Sequence, residues 1–227
     1  MENNFEMGLE ALRQKLLLMA SHAETAVNQS VQALVQRDHD LALRVKENDR
    51  IIDQFEVEID DLVIQLLTKA PLATNLRLVT VAMKISQNLE RVGDEASKIA
   101  KRARDLSQEP PVKISIDLPR MAGMALAMLK SSLDAFVNHD PAAARAIIPR
   151  DKEVDALNKQ THEILAQHMV ANPDAIGRCL NWMVACKSLE RIADHAKNVA
   201  EEVVYLYEAQ DIRHTGNKSQ PAPAASA

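Results

Sequence analysis

Two carboxylates, Glu90 and Asp94, stand four residues apart in "NLERVGDEASKIA" (residues 88–100), and Glu190 and Asp194 repeat the spacing in "SLERIADHAKNVA" (residues 188–200). On a helix this stacks like charges on successive turns, which destabilises it by roughly 0.2–0.5 kcal/mol per pair. Each pair is preceded by another: Asp49 and Asp53 in "ENDRIID", Asp151 and Asp155 in "PRDKEVD". Side chains that offer only oxygen suit hard cations such as Mg, Ca, Mn or ferric iron. The same acids also suit a plainly solvated face, with Arg91 and Arg191 as local counter-charges, because i,i+4 charge patterns are commonplace.

Rotation about the helix axis, about 100° per residue, separates these acids from the core. Leu89, Val92, Ala96, Ile99 and Ala103 form one apolar stripe, and Glu90 and Asp94 lie off it. Ile52, Phe55, Ile59, Leu62 and Leu66 form another, with Asp49, Asp53, Glu56 and Asp60 along its flank; Asp151 and Asp155 run likewise beside Val154, Leu157 and Ile164. Helices joined by short loops pack as antiparallel neighbours. The acidic flanks then meet across a groove, where they repel unless a cation sits among them.

Two neighbours of these acids each have two readings. Gly93 is either a tolerated interruption costing about 0.5–1 kcal/mol or a place where a neighbouring backbone or a ligand approaches closely; Ala193 at the matching position favours smallness. His195 is either a further ligand or a surface histidine, and the latter is preferred because nothing equivalent stands at Glu95.

The elements that must position these groups are six long helices. Period-3.6 apolar spacing predicts them over 5–37, 41–69, 73–106, 118–138, 141–170 and 174–209. Asp38 or Asp40 is placed to cap the second, and "APLAT" separates the second from the third. Asp140 with Pro141, and Asn172 with Pro173, each read as an N-cap followed by an N1 proline. Pro149 falls inside the fifth helix and should kink or split it. "SQEPPVKISIDLP" breaks helicity between the third and fourth, and "HTGNKSQPAPAASA" reads as a disordered tail.

Self-comparison shows two halves. An offset of 100 residues superposes Met83, Leu89, Glu90, Arg91, Asp94 and Ala96 on Met183, Leu189, Glu190, Arg191, Asp194 and Ala196. An offset of 102 superposes Ala33, Asp38, Asp49 and Asp53 on Ala135, Asp140, Asp151 and Asp155. The fold class expected is therefore all-α, two tandem pseudo-symmetric three-helix bundles: residues 1–107, a proline-rich linker over 108–117, residues 118–212, and a tail over 213–227.

Composition agrees. The 227 residues are 47% hydrophobic with only 5 Gly and 3% aromatics, which favours helices over sheet. A net charge of -5 with dispersed Lys and Arg leaves no basic track for nucleic acid. No apolar run approaches the roughly 20 residues of a membrane span, and "MENNFEMGLE" lacks the marks of a signal peptide, so a cytoplasmic location is expected. Cys179 and Cys186 lack zinc-site spacing and read as reduced core or near-core residues. A di-iron carboxylate enzyme needs a Glu with His three residues on, which is absent, as are nucleophile motifs and phosphate-cradling loops.

The tandem "LERVGD" and "LERIAD" hexapeptides, "APLATNLRLV", "ENDRIID", "PRDKEVD" and the closing "VVYLYEAQDIRH" resemble the PhoU family of bacterial phosphate-transport regulators over nearly the whole chain. The resemblance implies a non-enzymatic negative regulator of phosphate uptake and phosphate-starvation signalling. It implies an adaptor between the ATPase subunit of the phosphate ABC transporter and the sensor histidine kinase, and assembly as a homodimer. It also implies metal ions (Mg, Mn, Fe or Zn) held through an E/D-xxx-D motif. That motif maps onto Glu90 with Asp94 and Glu190 with Asp194, accompanied by Asp49, Asp53, Asp151 and Asp155, with Arg91 and Arg191 as partner contacts. Lys98 replaces the Asn found as Asn198, which should make the first site a weaker one.

Overall fold

The computed structural model describes residues 2–68, 73–114 and 116–213. Among them every regular element is helical: α1 (Glu2–Gln36), α2 (His39–Leu67), α3 (Ala73–Ser107), α4 (Leu118–Val137), α5 (Pro141–Ile147), α6 (Asp151–Ala171) and α7 (Ile176–Glu208). The residues of the expected tail from 214 on, and most of "APLAT", lie outside the described residues. α5 and α6 are one arm broken by a 3-10 turn at Ile148–Arg150. The break falls at Pro149, which has no N–H to donate and whose ring collides with the carbonyl four residues back.

The tandem three-helix architecture is the observed one: α1, α2 and α3 pack together, and α4, the α5–α6 arm and α7 do the same. The repeat extends to backbone detail. Both first corners end in a left-handed residue, Arg37 (φ 60°) and His139 (φ 57°). The next residue's N–H reaches back five positions, from Asp38 to the Ala33 carbonyl (2.9 Å) and from Asp140 to that of Ala135 (3.0 Å). Each Asp then caps the following helix, Asp38 accepting from the Leu41 N–H and Asp140 from that of Ala143, both at 2.9 Å. A left-handed non-glycine residue costs roughly 1–2 kcal/mol. Side-chain contacts offset this: Arg37 donates to the Ser107 and Glu109 carbonyls, and the His139 ring lies 5.0 Å from that of Tyr207. Asn172 stands at the expected N-cap position with Pro173 next to it, but without a side-chain cap. A 3-10 turn over Pro173–Ala175 intervenes, and the Asn172 amide donates back to the His168 carbonyl instead of capping forward.

The third helices of the two halves, α3 and α7, pack side by side. Going up α3, Arg77, Lys84, Asn88, Glu95 and Arg102 meet Leu206, Glu202, His195, Arg191 and Asn181, so the pair is antiparallel. One continuous apolar core therefore runs through both bundles, including Leu16, Ile59, Ile85, Leu89, Leu129 and Leu189. A smaller core of Leu165, Ala175 and Cys179 is covered by Val112, Ile114 and Ile116 of the linker. Cys179 and Cys186 are both buried free thiols. No helix among the described residues is long and apolar enough to cross a membrane.

Candidate functional site

The first groove lies between α2 and α3. Because the two run antiparallel, Asp49 meets Asp94, while Glu90 meets Asp53 and Glu56. Burial pushes the Asp49 carboxyl above its ordinary range; the Ser97 hydroxyl partly offsets this, and Asp53 and Asp94 add to it. Glu90 is raised by burial, then by Asp94, with Arg91 opposing. Glu56 is raised by burial and by Asp60. Asp53 stands exposed at the rim. One arginine serves this side: Arg91 pairs with Glu90 (3.3 Å) and Asp94 (3.1 Å). The Asp60 Oδ1 atom is buried without a partner.

Gly93 lets α2 come this close. A methyl built on it would lie 2.8 Å from Ile52 Cδ1 and 3.3 Å from Asp49 Oδ1. Close approach at Gly93 is therefore observed, but what approaches is the Ile52 side chain and not backbone or a ligand.

The second groove, between α6 and α7, gathers Asp151, Asp155, Glu190 and Asp194. The Asp194 carboxyl is pushed up to about 6 by burial, then by Asp151 and Glu190, with Lys197 opposing. Asp155 is raised by burial and by Asp151 and Glu190. Here the chain supplies lysines. Lys197 donates to Asp151 Oδ2 at 3.0 Å, and Lys187 lies 2.5 Å from Glu190 Oε2. Asp151 is 5% exposed and its other oxygen, Oδ1, has no partner. In this half the repulsion expected where the acidic flanks meet is therefore partly relieved by the chain's own lysines. Ser97 stands where the second half has Lys197, and the offset of 100 residues already aligned the two.

All eight site residues read from the sequence fall in the two grooves. The sequence reading overlooked what lies between them. Glu95, 4% exposed, sits in the α3–α7 seam with Lys98 (2.8 Å) and Arg191 (3.3 Å). Burial acts to raise its carboxyl, but hydrogen bonds from Lys98, Ser188 and Arg191 prevail and hold it below its usual range. Lys98 is therefore engaged at the seam. His195 is not a surface histidine: half-buried, its Nδ1 lies 3.0 Å from Asn88 Oδ1 across the seam, and burial lowers its basicity. The Glu95–Ser188 and His195–Asn88 contacts are mates under the offset of 100. That symmetry is recognisable only once α3 and α7 are known to be neighbours.

The donors suit a cation. They are oxygens, several are half-buried, burial and then mutual repulsion raise the proton affinity of Asp49, Glu90, Asp155 and Asp194, and Asp60 and Asp151 each keep an orphaned buried oxygen. A hard ion relieves this without protonation. As the side chains stand among the described residues, no three acidic, histidine or cysteine groups close a ready-made ligand sphere. Ligation requires side-chain rotation and release of Arg91, Lys187 and Lys197.

Comparison with known proteins agrees with the internal repeat. The PhoU domain family matches twice, over residues 16–103 and 118–203. The chain is 39% identical over 214 residues to a phosphate-specific transport system accessory protein PhoU homolog of Pseudomonas aeruginosa, covering 93% of this chain and 88% of that protein. It is 32% identical over 213 residues to the phosphate-specific transport system accessory protein PhoU of Escherichia coli, with the same coverages. The crystal structure of PhoU from Pseudomonas aeruginosa superposes with a TM-score of 0.87 at 38% identity, over 91% of this chain and 100% of that one. The phosphate transport system regulatory protein PhoU from Streptococcus pneumoniae gives 0.82 at 26% identity, over 92% and 99%.

Proposed function

The chain belongs to the PhoU family, and on that premise we propose that it is an accessory regulator of phosphate transport, acting in the cytoplasm to restrain uptake and phosphate-starvation signalling. It is an adaptor with no catalytic centre, holding the ATPase subunit of a phosphate ABC transporter and a phosphate-sensing histidine kinase in a non-activating assembly. The observation that supports this is coverage. Both halves match the family domain, and relatives named as phosphate-transport accessory proteins align over 93% of the chain.

In the same reading a divalent or trivalent ion (Mg, Mn, Fe or Zn) is held in each groove. Asp49, Asp53, Glu90 and Asp94 serve the first, and Asp151, Asp155, Glu190 and Asp194 the second. The ion supplies the positive charge that lets neighbouring carboxylates stay ionised. Arg91, exposed beside the first groove, and Arg191, exposed at the α3–α7 seam where it reaches Glu95, contact the partners. The chain acts as a homodimer, which sedimentation of the purified protein checks.

A second reading, a metal-free helical scaffold, is favoured by one observation: Arg91, Lys187 and Lys197 already neutralise part of the acidic charge. Immobilised chain challenged with the purified transporter ATPase subunit, before and after chelation, tests both readings. Retention of the ATPase subunit by metal-bearing protein supports the adaptor. No retention overturns it. Absence of both bound metal and retention establishes the scaffold, and retention by protein that binds no metal keeps the adaptor while removing its ion.

A further inference from the structure

The two grooves differ in their extension along the helices. Under the offset of 102 residues, Glu56 and Asp60 of α2 correspond to Asn158 and His162 of α6. The first groove therefore continues with two more carboxylates, the second with an amide and an imidazole. Asn158 and His162 are i and i+4 on one helix face, a spacing that lets two side chains reach one point.

Two observations mark this end of the second groove as built for a ligand. Asn158 is only 9% exposed, yet its carbonyl oxygen Oδ1 has no hydrogen-bond partner. It lines an open cleft together with Asp155, His162 and Glu190. The half-buried His162 places Nε2 3.4 Å from the Met183 carbonyl. Opposite a carbonyl, Nε2 must be the donor, so the neutral ring keeps its lone pair on Nδ1. An imidazole that donates one N–H to a backbone carbonyl and leaves the other nitrogen free is oriented as metal-binding histidines are.

We propose that His162 is a metal ligand through Nδ1, with Asn158 Oδ1 and Glu190 beside it, and that it makes the α6–α7 groove selective for borderline transition-metal ions while the α2–α3 groove takes hard ions. This rests on the metal reading of the grooves and deepens it. Imidazole suits Zn, Fe, Co and Ni, whereas all-oxygen sets suit Mg, Ca and Mn. Lys159 also lines this cleft, and the cation already paired at its end is Lys187, which holds Glu190. Ion binding displaces that ammonium, and Lys187→Gln should tighten it.

Metal-stripped full-length chain is titrated with Co2+ by equilibrium dialysis, with and without a large excess of Mg2+. Wild type should show one class of Co2+ that Mg2+ does not displace. His162→Gln, which keeps an N–H donor for the Met183 carbonyl, should weaken that class at least about tenfold, since loss of an outer-shell partner alone costs 10–100-fold. Asn158→Ala should weaken it too. Asp60→Asn should leave it intact and weaken Mg2+ binding instead. If both variants retain Mg2+-resistant Co2+ with wild-type affinity, His162 is not a ligand and this inference falls, while the metal reading stands. If wild type binds neither ion, the metal reading itself falls and takes this inference with it.

Discussion

Ile52 Cδ1 occupies the space that a methyl group on Gly93 would need, 2.8 Å from where that carbon would stand. The matching positions of the second half carry Val154 and Ala193, both fully buried. There the α6–α7 pair has lost the δ-methyl of isoleucine and gained the β-methyl of alanine. The same small volume has moved from one helix to the other.

Gly93→Ala alone sets a gain in helix propensity of about 1 kcal/mol against an overpacking cost of about 1–3 kcal/mol, and should be neutral to destabilising. Ile52→Val alone should cost about 0.5–1.5 kcal/mol. Together they should be more stable than the sum, with a favourable coupling of about 1 kcal/mol. Urea denaturation of the four proteins of the cycle measures this, and strict additivity would contradict the volume exchange.

Asp194 gives a pH signature. Its carboxyl is raised from 3.8 to about 6, so the folded state binds a proton the unfolded chain does not. Stability should therefore fall as pH rises from about 4 through 6. Asp194→Asn should remove this slope and, at pH 7, add about 1 kcal/mol after allowance for solvent screening at this half-exposed position. Melting temperatures between pH 4 and 8 report it. Added metal should raise the melting temperature of wild type at pH 7 more than that of the variant.

Glu95 predicts the opposite dependence. Its carboxyl is lowered from 4.5 by Lys98, Ser188 and Arg191, so its contribution is present above pH 4.5 and is lost as pH falls through the folded value. Glu95→Gln should cost about 1.5–3 kcal/mol at neutral pH, the range for hydrogen bonds to a charged group. The difference should close in acid. A constant offset across pH would show that Glu95 acts by shape alone.

The carboxylates of the grooves can be neutralised without loss of volume. If the proposed ions are held there, a chain carrying Glu90→Gln, Asp94→Asn, Glu190→Gln and Asp194→Asn should keep its helical circular dichroism and lose the metal that wild type retains. Elemental analysis after dialysis decides this. Undiminished metal content would place the ions elsewhere on the molecule.

Much of this was legible in the residues themselves. Apolar periodicity located the helices, Pro149 marked the break in the fifth, and Asp140 announced its cap, while the choice of Asp38 over Asp40 came from the structure. The internal repeat paired the grooves, because rotation about a helix axis is a local property that the order of side chains encodes directly. What local order does not encode is which helix of one half touches which helix of the other. The α3–α7 seam therefore had to be seen before Glu95 became a buried, three-partnered carboxylate and His195 an interface residue bonded to Asn88. Lys197 was hidden for the same reason, whereas Lys187, three residues before Glu190 on the same helix, was legible. Lys197 and Asp151 are 46 residues apart, and only the packing of α6 on α7 puts them within 3.0 Å. A sequence states the charge a residue carries and the face of the helix it occupies; tertiary structure decides what stands opposite, and so whether that charge is solvated, neutralised by the chain, or left to a cation.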